Sequence, residues 1–244
     1  MRLLSASRGI GAWESLLLVA AVAWLGTIYM ATGMGAMSPA DVGLGFFALA
    51  WLLMMAAMML PSVAPVAQAW MRMVSKEETE RRRRVGRTTA LLSGYLLAWL
   101  VVGIPAYALA VELDRLSMDH PAAHRLVAAV ILVTAGVYQF TPVKRACLRH
   151  CRTPIANVLH YGGMTGRARD LRVGVRHGAY CAGCCWGLMA VLVLLGAMNL
   201  WLMAALTVVV FAEKIWRYGA QFAQAVGAIL GLLGLAALVS VASL

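Results

Sequence analysis

Charge is scarce in this sequence: only 13% of its 244 residues are Asp, Glu, Lys or Arg, and only 10 are acidic. Soluble domains carry about 25% charged residues, so the shortage excludes a water-soluble globular fold. The low hydrophobicity that keeps a chain disordered is equally missing. No His-Glu-x-x-His, Gly-x-Ser-x-Gly or Walker loop occurs, which leaves hydrolysis, and energy coupling by nucleotide hydrolysis within this chain, without a motif. A non-enzyme is the leading reading, and one enzyme alternative, given below, stays open. No repeat of 20 to 50 residues is visible. Aromatics make up 8%, and none interleaves the run Arg81 to Arg84. With Glu77, Glu78 and Glu80 beside it, that run reads as a solvated anchor at a membrane surface, with no nucleic-acid partner.

What fills the space is apolar. Hydrophobic residues are 62% of the chain and the mean hydropathy is +0.80. Apolar runs at 13–31, 44–60, 88–110, 122–140, 178–198, 200–213 and 219–241 are each long enough, alone or with flanking residues, to cross about 30 Å of hydrocarbon. The chain is therefore read as all-α, a polytopic transmembrane helix bundle forming one domain over 1–244. It has about seven spans, or six if the short sixth run is re-entrant. A tight turn is required at Met198-Asn199-Leu200. The first run is longer than a signal-peptide core of about 7–15 residues, and Thr32-Gly33-Met34-Gly35 is a poor cleavage site, so it is kept as an anchor.

Basic residues choose sides. Arg2 and Arg8 precede the first span. The second connection carries Arg72, Lys76, Arg81, Arg82, Arg83, Arg84 and Arg87. A long basic loop, 141–177, carries Lys144, Arg145, Arg149, Arg152, Arg167, Arg169, Arg172 and Arg176, and Lys214 and Arg217 follow the sixth span. Only Arg115 and Arg125 fall on the other side. This puts the N-terminus and the loop in the cytoplasm of a multi-pass protein of the bacterial inner (cell) membrane. Gly183 with Gly187, and Gly227 with Gly231 and Gly234, offer the small-residue spacing that lets helices approach closely.

Three features stand out chemically. All five cysteines lie between Cys147 and Cys185. In a reducing compartment they favour metal or redox chemistry over structural disulfides. Along a helix, His177, Cys181, Cys184, Cys185 and Met189 follow one stripe within the first turns of the fifth span. Met54, Met55, Met58 and Met59 form two i, i+4 pairs just before Pro61, which is expected to kink the second span, with Pro65 repeating the effect. Thioethers and thiolates are soft donors that select Cu(I). Finally, Glu213-Lys214 stands at the inner end of the sixth span, where ionisable groups are costly and mark either a functional site or a boundary ion pair with Lys214 or Arg217.

Together Met54-Met-Ala-Ala-Met-Met-Leu-Pro61, Thr141 to Pro154, Gly178 to Met189 and Glu213-Lys214 resemble a bacterial family of uncharacterised polytopic membrane proteins. That family carries a domain-of-unknown-function label and is described as predicted metal-binding integral membrane proteins. The resemblance covers nearly the whole chain after the first span, and it implies a multi-span protein with a metal site.

The residues predict a soft-metal site used in binding, delivery or transport. Cys181, Cys184 and Cys185 are its ligands, Met55, Met58, Met59 and Met189 supply thioethers, and His177 is an alternative donor. Cys147 and Cys151 capture the ion. Cu(I) is the first choice and Zn²⁺ the second. Beside the lipid bilayer, a metal donor or acceptor protein is the expected partner. Two alternatives stand: a membrane thiol-disulfide oxidoreductase cycling Cys181 and Cys184, and a structural subunit in which sulfur only packs.

Overall fold

The computed structural model describes residues 12–34, 39–153, 156, 161, 163–164, 166 and 168–242. Arg2, Arg8, Gly35, Pro154 and Arg167, all named above, lie outside them. Eight helices and no strand occur among the described residues: α1 Ala12–Met34, α2 Pro39–Glu77, α3 Arg81–Asp119, α4 Pro121–Tyr138, α5 Pro142–Arg152, α6 Arg169–Leu194, α7 Leu200–Ile215 and α8 Gly219–Ala242.

Local chemistry accounts for several boundaries. Pro121 and Pro142 stand at the first turns of α4 and α5, where a missing N–H costs nothing. Thr141 caps α5 by accepting from the Lys144 N–H at 3.2 Å. The turn expected near Asn199 forms there: Gly196 adopts φ +103°, open to a residue without Cβ, and the Asn199 side chain accepts from the Leu202 N–H at 3.1 Å to start α7.

Six helices, α1, α2, α3, α4, α6 and α8, are long and apolar enough to cross a membrane. The expected seventh, 200–213, is α7. Its 16 residues extend about 24 Å at 1.5 Å per residue, short of a hydrocarbon core of about 30 Å. Three further expectations change. The helical break in α2 falls at Gly43, with φ 69° and ψ 164°, and the helix runs on through Pro61 and Pro65. The 141–177 segment is not wholly loop, since it contains α5 and the beginning of α6. Because α6 starts at Arg169, Cys181 is about 18 Å along it, near the helix centre and not in its first turns.

In the centre of the bundle, α6 touches α3, α4, α5 and α7, with 67% of its apolar stretch buried against 11% for α8. α3 approaches so closely that a Cβ on Gly174 would strike the Leu91 carbonyl, and one on Gly94 the Leu171 carbonyl. α4 meets α8 the same way, Gly136 facing the backbone of Gly227 and Gly231. Between α2 and α3, the Trp51 indole donates to the Trp99 carbonyl at 2.9 Å. At one end, Arg87 pairs with Glu77 and Asp170, and Arg169 with Glu77. The C-terminus of α2 and the N-termini of α3 and α6 therefore share a basic face.

Candidate metal centre

The helical repeat puts Cys181, Cys184 and Cys185 on the inward side of α6, where each is 1% exposed or less. Cys184 and Cys185 donate their S–H groups back to the Cys181 carbonyl, at 3.1 and 2.9 Å. This satisfies the thiols within an apolar core.

α5 supplies the fourth sulfur. Lys144, Leu148 and Cys151, at i, i+4 and i+7, make its buried stripe, while Arg145 and Arg149 are exposed. Docking that stripe on α6 sets Cys151 Sγ 3.9 Å from Cys184 Sγ and beside Cys181. Hydrogen bonding to Cys181 and then to Cys184, together with burial, pushes the Cys151 thiol well above its ordinary range. Cys147, half-buried, lies over Gly183, where a Cβ would come within 3.0 Å of its sulfur. Burial and the nearby Cys184 raise its pKa too, with Lys144 opposing.

Lys214 closes the cluster from α7. Its Nζ donates to Cys181 Sγ at 3.0 Å, to Ser62 Oγ at 3.1 Å and to Met59 Sδ at 3.9 Å. The Tyr95 hydroxyl, from α3, is 3.0 Å from the same Cys181 sulfur. Five helices thus meet at one point. Met55, Met58 and Met189 are buried in the same core, and the contact with Lys214 singles out Met59 among the methionines.

Glu213 does not pair with its neighbour Lys214 or with Arg217. Its carboxylate takes Lys144 at 2.6 Å, both side chains 1% exposed, and the Gln139 amide at 3.3 Å. Its backbone carbonyl accepts from Arg152 at 2.6 Å. Lys144 and Arg152, counted in the sequence as surface charges, are therefore the clamp that holds α5 against α7. His177 is buried one helical turn before Cys181, its ring 6.1 Å from Tyr95 and 6.0 Å from His150, and its Nδ1 has no hydrogen-bond partner. His150 stacks on Tyr180 at 3.8 Å and bonds through Nε2 to the Tyr161 hydroxyl.

Sequence reasoning missed Ser62, Tyr95, Lys144, Gln139 and His150. Ser62 follows Pro61 directly and Lys144 is four residues before Leu148 on the α5 stripe, the only local signals available. Among the described residues no three His, Cys, Asp or Glu side chains converge as a ready metal cage. All five cysteines are free thiols.

An all-helical protein with span-length apolar helices packed around buried cysteine, methionine and lysine side chains is the class these features define. The chain belongs to the PpoB2 family, described as copper chaperone, whose model matches residues 48–237. That stretch includes every residue of the cluster. No curated protein and no solved structure matches the chain.

Proposed function

We propose that this chain is a multi-pass inner-membrane copper chaperone of one domain, which holds Cu(I) as cargo among Cys151, Cys181, Cys184 and Cys185 and releases it to an acceptor protein. The observation that carries the reading is the 3.9 Å approach of Cys151 to Cys184 across two helices. Two sulfurs each about 2.3 Å from a shared ion lie about 3.8 Å apart at a tetrahedral angle and about 4.6 Å apart in a line. The pair falls in that window with little movement. A structural zinc site needs four converging ligands, whereas Cu(I) is content with two or three soft donors. Cys181 and Cys185 are the next sulfurs, both beside Cys184, and Met59 reaches the cluster through Lys214. Met55, Met58 and Met189 line the surrounding core, and His177 offers an imidazole. Capture of the ion is assigned to Cys147, a reading its partial exposure supports. The family description supports copper, and the gathering of basic residues at one end supports a cytoplasmic face there.

The test is anaerobic Cu(I) titration of the purified protein beside a Cys181→Ser/Cys184→Ser/Cys185→Ser triple variant. The wild type retains copper against a chromophoric chelator and the variant does not; equal stoichiometry in the two ends the reading.

A further inference from the structure

We propose that Lys214 sets which cations the sulfur cluster accepts, its buried ammonium making the site select a monovalent soft ion over a divalent one. The inference rests on the copper reading above and adds a specificity residue to it.

Lys214 is 6% exposed, and its three donors meet three acceptors: a cysteine sulfur, a serine hydroxyl and a methionine sulfur. A buried ammonium ordinarily finds a carboxylate. Here the adjacent Glu213 is committed to Lys144, and among the described residues no carboxylate lies within ion-pair distance of Lys214. The positive charge is thus a fixed part of the cluster's surroundings. Its contacts are with two of the soft donors themselves, Cys181 and Met59.

Charge counting then separates the cations. Two thiolates, one ammonium and Cu(I) sum to zero. With Zn²⁺ the same set carries one net positive charge in a dry interior, where uncompensated charge is costly. An ion bound to the Cys181 sulfur lies no more than about 5.3 Å from Nζ, given a metal–sulfur bond of about 2.3 Å. At an effective dielectric constant of about 20, each unit of charge at about 5 Å from the ammonium changes affinity on the order of 10²-fold. A divalent ion carries that penalty twice and Cu(I) once, so the preference for Cu(I) gains on the order of 10²-fold from this one side chain.

The experiment uses the full chain in detergent micelles under anaerobic conditions, with Cu(I) and Zn²⁺ as separate probes, each competed against a chromophoric chelator. In Lys214→Gln and Lys214→Leu, the ratio of Cu(I) to Zn²⁺ affinity falls on the order of 10²-fold, while Lys214→Arg keeps the wild-type ratio. A ratio unchanged within about threefold in the two neutral variants overturns the proposal. So does an equal loss for both ions, which would make Lys214 a residue that only positions Cys181. The wild type supplies a readout that needs no variant: excess Zn²⁺ leaves bound Cu(I) in place, and cysteine-dependent Zn²⁺ binding of comparable strength overturns the proposal. A wild type that binds no Cu(I) removes the copper reading as well. Wild-type copper binding with an unmoved ratio in the variants removes only the role of Lys214.

Discussion

The buried pair Lys144–Glu213 gives the sharpest energetic test of how the site is held. Lys144→Met fills a similar volume and leaves the Glu213 carboxylate, 1% exposed, with only the Gln139 amide at 3.3 Å. Breaking a buried pair by deleting one partner costs about 3–5 kcal/mol, because the survivor keeps its desolvation penalty. For a chain of this size each kcal/mol moves the Tm by roughly 2–4 °C, so the melting temperature in detergent, at a fixed scan rate, drops by about 6–20 °C. Lys144→Met combined with Glu213→Gln removes both charges and recovers most of that loss, since apolar or neutral replacements of a whole buried pair are often neutral. The double-mutant cycle therefore shows a coupling of about 2 kcal/mol or more. The single variant also leaves only Arg152 to clamp α5 to α7, so, on the proposed copper reading, Cu(I) at Cys151 exchanges faster with a chelator. A Tm within about 1 °C of wild type for Lys144→Met, or strictly additive losses in the double variant, would refute the clamp.

Two further outcomes follow from the packing. Gly174→Ala drives a Cβ into the Leu91 carbonyl and destabilises the protein by about 1–3 kcal/mol or more, read as a lower Tm. Gly86→Ala, with open space around it in α3, raises the Tm slightly because the helix gains about 0.5–1 kcal/mol; equal effects at the two positions contradict the close α3–α6 contact. Mild oxidation of the apoprotein, followed by peptide mapping, yields a Cys151–Cys184 bridge, since those two sulfurs already approach to 3.9 Å. A Cys181–Cys184 bridge as the main product would instead favour the thiol oxidoreductase cycling those residues.

Much of the architecture could be read from composition and periodicity. Apolar runs of span length need nothing but their own residues to be helical, because a chain out of water must satisfy its backbone within each segment. The boundaries were less secure. A kink is expected at Pro61, yet the non-helical residue within α2 is Gly43, and the short sixth run forms a 16-residue α7 bounded by the Asn199 cap and by extended Trp216. The inward stripe of Cys181, Cys184 and Cys185 also follows from the helical repeat alone.

Partners are another matter. Glu213 and Lys214 are neighbours in sequence, but consecutive residues on a helix point about 100° apart. Each therefore found its partner on a different helix, Lys144 on α5 and Cys181 on α6. Cys151 and Cys184 are separated by 33 residues, and nothing in their spacing says they touch. Periodicity is a property of one helix and fixes which residues share a face; which face meets which is decided by the docking of whole helices, where close backbone approach and the pairing of buried charge select one arrangement.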